Sequence, residues 1–153
     1  PEGCDTSCYR CIRSFKNKLD HRLLDRVLGA QLLRHALHGG YAVYPQRRMD
    51  AALDLLFNDL QRQFSEHFLL ERNSIRHHAR VGQVIVPIVM TQRASGVESW
   101  ISISSPIARD VPIDPNLRRV LAIDKTAPLV CVDDLLIRRH LPAAINCLRT
   151  LLN

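Results

Sequence analysis

Cys4, Cys8 and Cys11, spaced Cys-x3-Cys-x2-Cys, bring three sulfur donors into eight consecutive residues near the start of the chain. Thiolates held that close repel one another unless a soft cation shares their charge, so zinc or an iron-sulfur cluster is the natural occupant. A closed tetrahedral zinc site takes four ligands. The fourth donor must then come from sequence before Pro1, from His21, or from Cys131 or Cys147 folded back.

Two other readings of the thiols compete. They can be ordinary reduced cysteines or half of a disulfide framework, although a chain of 153 residues with 46% hydrophobic content can bury a core without staples. The same spacing also holds the [4Fe-4S] cluster of radical-SAM enzymes, but that motif follows the first strand of a large βα barrel, and no strand is expected before Cys4. We adopt structural zinc, held by Cys4, Cys8 and Cys11, with His21 as candidate fourth ligand.

The rest of the chain offers little chemistry. It has no Gly-x4-Gly-Lys-Ser/Thr loop, no Gly-x-Ser-x-Gly elbow, no His-Glu-x-x-His helix and no dinucleotide fingerprint. His77 and His78 read as solvent-facing residues at the end of a helix. Asp133 and Asp134, which with Glu98 or Asp110 have the donors for a divalent cation, are explained more simply by a tight turn. Cys131 and Cys147 read as small buried hydrophobes. No enzymatic activity is expected.

Hydrophobic spacing supplies the elements that must position the cysteines. Leu19, Leu23, Leu24, Val27, Leu28, Leu32, Leu33, Ala36 and Leu37 recur at helical steps before Gly39-Gly40, which predicts a helix from about Asp20 to His38. Tyr41 to Arg48 reads as a connector. A second helix follows from Met49 to about Phe68, with Leu53, Leu56, Phe57, Leu60 and Phe64 on one face.

Past a polar, histidine-containing stretch, 84–90 and 99–104 read as strands, the first kept to an edge or bulge by Pro87. Asp114-Pro115 opens a short helix. Strands are predicted at 129–132 and 135–139, and a last helix from Pro142 carries Ile145, Leu148, Leu151 and Leu152. The expected class is α+β: a zinc-ordered helical module over 1–44, then a small antiparallel sheet packed with helices over 45–153 in the order α-β-β-α-β-β-α.

The series Ser7-Cys8-Tyr9-x-Cys11-Ile12-Arg13-Ser14-Phe15-x-Asn17, then His21-x-Leu23-Leu24-Asp25-Arg26, resembles the MrfA-like zinc-binding domain at the C-terminus of DEAD/DEAH-box helicases and of related phage-defence proteins. The likeness covers about residues 3–37. Phe15 stands where Tyr is usual, and no fourth cysteine is nearby. The resemblance implies bound zinc, a helicase or defence-complex partner and work on DNA. Residues 50–152, through 103–108 and 134–142, look like the YbjN and type III secretion chaperone-like fold, which implies an adaptor or chaperone that binds protein segments and forms oligomers.

Charge agrees with a nucleic-acid setting. The net charge is +6 and the pI near 9.5, and the excess is concentrated: in residues 1–49 nine Lys or Arg face four acids. Arg10, Arg13, Lys16, Lys18, Arg22 and Arg26 surround Tyr9 and Phe15, so the cations can follow phosphates while the rings stack on bases, or the same residues can dock on a protein partner. The alternative is a solvated, salt-bridged helix face.

Mean hydropathy is -0.07, no apolar run reaches the roughly 18 residues of a membrane span, and no basic-then-apolar leader opens the sequence. A cytoplasmic protein is expected. Pro1 in place of Met, directly before the cysteines, suggests a processed, truncated or excised piece of a longer polypeptide. The expected whole is a non-catalytic accessory module of a DNA-processing helicase or phage-defence system. An assembly adaptor and an iron-sulfur enzyme fragment are the alternatives.

Overall fold

The computed structural model describes Cys4, residues 6–41 and residues 43–152, without the side chains of Leu151 and Leu152. The chain divides into two compact units, Pro1–Tyr44 and Pro45–Asn153.

In the first unit a turn over Cys8–Cys11 leads into a short 3-10 helix, Phe15–Asp20, and then α1, Arg26–His38. The long helix expected from Asp20 is therefore broken. Asp25 is the reason: its carboxylate accepts hydrogen bonds from Val27 N (3.1 Å) and Leu28 N (3.0 Å), which fixes it as the N-cap of α1. Residues 21–24 are left in a turn that hangs on the Asp20 carbonyl. α1 stops at Gly39, whose φ of 64 is left-handed and favours glycine. The Gln31 amide then ties the following strand of chain back, donating to Val43 O (2.5 Å) and accepting from Val43 N (2.9 Å).

The second unit starts with α2, Gln46–Phe64, which buries Ala52, Leu53, Leu56 and Leu60 at three- and four-residue steps. Strands β1 (Phe68–His78), β2 (Gly82–Gln92) and β3 (Glu98–Ser105) form an antiparallel meander. β4, Ala108–Pro112, pairs with the end of β3. Helix α3, Pro115–Ile123, capped by Asp114, carries the chain over to β5, Leu129–Asp133, which lies parallel to β3. Helices α4, Asp134–Arg139, and α5, Leu141–Leu152, complete the unit.

The α+β class holds, with a mixed rather than antiparallel sheet and the order α-β-β-β-β-α-β-α-α. The stretch expected to be polar connection is β1, a sheet-edge strand in which Glu71, Arg72 and Arg76 take half-buried positions while Leu69 and Ile75 are exposed, so no apolar period shows. Leu135–Arg139, expected as a strand, is α4. Its Leu-Leu-Ile run suits either state, but Asp133 accepts a hydrogen bond from Leu135 N (2.8 Å) and so starts a helix. One core cluster joins Val84, Val86, Val89 and Trp100 of the sheet to Leu117 and Val120 of α3. Arg48 at the start of α2 and Asp134 at the start of α4 form a buried ion pair, with contacts of 3.0 and 2.5 Å.

Candidate metal centre

The Cys8–Cys11 turn brings the thiols together. Cys11 N and Arg13 N both donate to the Cys8 carbonyl, at 3.0 and 3.1 Å. This folds Cys11 back over Cys8, so that Cys8 N–H donates to Cys11 Sγ (3.0 Å). Cys4 Sγ lies 3.9 Å from Cys11 Sγ, and the three sulfurs all fall within 4.8 Å of one another. Tetrahedral zinc, with bonds of about 2.3 Å, spaces its sulfurs at about 3.8 Å, whereas a disulfide needs about 2.05 Å. All five cysteines are free. The cluster therefore has the span of thiols around a shared metal ion.

Its electrostatics favour a cation. Burial pushes the Cys4 thiol up, and hydrogen bonding with Cys8 and Cys11 adds to the shift. At Cys11 burial also opposes ionisation, but hydrogen bonds from the Cys8 and Ile12 backbone and contacts with the Cys8 and Cys4 sulfurs outweigh it, bringing the thiol down to about 7. One sulfur is thus near ionisation beside two neighbours whose own ionisation would add like charge. A divalent ion removes that conflict by taking the thiolates as ligands.

The loop is tied to the helix that follows. Arg26 donates from Nη2 to Cys4 O (2.9 Å), and its backbone N–H donates to Thr6 O (2.8 Å). Arg13 Nε donates to Ser7 Oγ (2.9 Å). Two of the six cations read as partner contacts thus brace the cysteine loop, a role that spacing alone did not indicate. Arg10, Lys16, Lys18 and Arg22 are exposed.

His21 is not among the clustered donors. Its Nε2 sits 3.0 Å from Ser14 O and 3.1 Å from Asn17 Oδ1, and its ring meets Tyr9 edge-on at 5.3 Å. Among the described residues no other group of three or more His, Cys, Asp or Glu could hold a metal ion.

The remaining candidates are dispersed. Cys131, in β5, has its thiol pushed up to about 12 by burial, with the Asp110 charge adding to it. Cys147 is exposed, not buried as expected, because it lies on the outer face of α5. His77 and His78 end a strand rather than a helix; His77 is exposed, and His78 Nε2 lies 3.4 Å from Asp124 Oδ2. Asp133 caps α4 and lies 3.4 Å from Arg109 Nε, while Glu98 pairs with Arg76 and accepts from Trp100 Nε1 (3.2 Å).

Over 36 residues, 24% of this chain, the sequence is 56% identical to the Druantia protein DruE of Escherichia coli (strain UMEA 4076-1). That stretch spans 2% of the length of the Druantia protein. No family model matches the chain, and no solved structure matches it. No helix of the described residues is long and apolar enough to cross a membrane.

Proposed function

We propose that the first unit is a zinc-ordered, non-catalytic accessory module of a DNA-processing helicase or phage-defence system, acting in the cytoplasm and contacting nucleic acid or a helicase-type partner. The observation that carries this reading is the trio of sulfurs within 4.8 Å, braced by Arg26 against the helix that follows. The segment in common with the Druantia protein and the MrfA-like cysteine pattern point to the same setting. Zinc would tie the Cys4–Cys11 loop together and supply folding free energy that so little buried apolar surface cannot. Any ATP-driven motor lies in other residues, since no phosphate-binding loop occurs in these.

An adaptor reading, in which the first unit docks on a protein partner, is favoured by one observation: Leu32, Leu33 and Leu37 of α1 are all exposed, Leu37 by 74%, and exposed apolar patches mark protein interfaces.

The test is metal analysis of protein purified without added zinc. About one zinc per chain is expected, lost in Cys8→Ser. Less than roughly a tenth of an equivalent, with Cys8→Ser melting like the parent, refutes the zinc reading. A brown preparation replaces it with the iron-sulfur alternative.

A further inference from the structure

The surface around the 3-10 helix combines features that rarely occur together on a solvated face. Phe15 is 78% exposed and Tyr9 68%, although burying a ring of this size is among the larger stabilising terms a small unit can gain. Contacts link the segments that carry the two rings. Tyr9 rests edge-on against His21, and His21 is bonded to Ser14 O, the residue next to Phe15. Lys18 Nζ lies 4.8 Å from the Phe15 ring centroid.

Arg10, Lys16 and Arg22 adjoin Tyr9, Phe15 and His21 in sequence and are exposed. The structure separates these cations from Arg13 and Arg26, whose side chains bond within the cysteine loop. The only acid from Ser14 to Leu24 is Asp20.

We propose that Tyr9 and Phe15 form a stacking platform for the bases of an unpaired nucleic-acid strand, with Arg10, Lys16, Lys18 and Arg22 along its phosphates. This deepens the reading above, on which it rests, by naming the ligand. A single strand is favoured over a duplex because a ring stacks on a base only where that base has left its own stack, and stacking is indifferent to base identity. A strand is favoured over an apolar protein groove because Lys18 lies against the Phe15 ring and three more exposed cations adjoin the aromatic residues in sequence, whereas charged residues are depleted at the core of protein interfaces.

The experiment is fluorescence-anisotropy titration of the whole chain, with its metal content measured on the same sample. The probes are a 15-nucleotide oligothymidylate, the matching oligouridylate and a DNA duplex of equal length. The strands should bind more tightly than the duplex, with a log–log salt slope of up to about -3 for four phosphates. Phe15→Ala should weaken strand binding by roughly fivefold to a hundredfold, and Phe15→Trp should restore it.

Tighter binding of the thymidylate identifies DNA as the source of the strand, and tighter binding of the uridylate identifies RNA. Equal affinity of Phe15→Ala and parent, a preference for the duplex, or no binding by metal-loaded, folded protein overturns the platform while leaving the metal reading intact. Metal-free protein fails the metal reading instead.

Discussion

The two units are stabilised by different means. In the second, Leu56, Leu60, Val86, Ile88, Met90, Ile101, Leu117 and Leu148 are all fully buried, and burial on that scale sustains a fold unaided. In the first, the buried hydrophobic residues among those described are Cys4 and Tyr44 alone, while Phe15, Leu19, Leu23, Leu33 and Leu37 face outward. Order there comes from hydrogen bonds of Ser7 and Arg26 within the cysteine loop, of Asp25 at the start of α1 and of Gln31 with Val43. A segment organised in this way would draw its stability from an ion bound by the sulfurs; a segment organised around leucines needs none.

The largest expected effect separates the units outright. A strong chelator, or Cys8→Ser, should unfold the first unit while leaving the second intact, because apparent zinc binding to structural sites is of order 10 kcal/mol and is itself the folding free energy. Amide NMR would show collapse of signals from residues 6–41 and unchanged dispersion from β1 to β5. Uniform loss of signal would mean that the units are not independently stabilised.

Next come changes inside the second unit. Arg48→Ala leaves the buried Asp134 carboxylate without its counter-ion and should cost about 3–5 kcal/mol, lowering the thermal midpoint by more than about 10 °C. Metal content should not change. Leu56→Ala, at a fully buried position, should cost about 2–5 kcal/mol. Leu33→Ala, 67% exposed in the first unit, should stay within about 0.5 kcal/mol. A cost at Leu33 comparable with that at Leu56 would show that α1 has a buried face after all.

Thiol labelling extends the comparison to chemistry. At neutral pH Cys147, exposed on α5, should react with iodoacetamide at least about a hundredfold faster than Cys131, whose thiol is pushed up to about 12. Comparable rates would show that β5 opens readily.

The smallest effect is electrostatic. Glu98 and Glu71 are both held below the usual carboxylate range, chiefly by hydrogen bonds from Arg76. A carboxyl depressed in the folded state adds stability above its unfolded pKa of about 4.3, and that stability is lost as pH falls through the folded value. Acid titration of parent and Arg76→Gln should therefore converge below about pH 4, the difference above it being under about 1 kcal/mol at these part-exposed positions.

Several parts of this arrangement were legible in the sequence because they depend on local chemistry. The cysteine spacing predicts the cluster, Gly39-Gly40 the end of α1, Asp114-Pro115 the start of α3, and the leucine steps the face of α2. What escaped depends on distant neighbours. β1 carries Arg72, Arg76, His77 and His78 on an edge strand, so its period of two is masked by charges that find partners elsewhere: Arg72 at Asp54 on α2 (2.6 Å) and Arg76 at Glu98 on β3 (3.0 Å). The parallel seating of β5 on β3 is a non-local pairing with no sequence period of its own. The roles of Arg13 and Arg26 were hidden for a different reason: a cation in a basic segment looks the same whether it points to a phosphate or to a carbonyl of its own loop.

The claim on which the rest depends is that the three sulfurs share one metal ion. Zinc-edge X-ray absorption on protein purified without added metal addresses it directly. A shell of at least three sulfur scatterers at about 2.3 Å is the predicted result. No zinc, or zinc surrounded by nitrogen and oxygen only, would contradict the account.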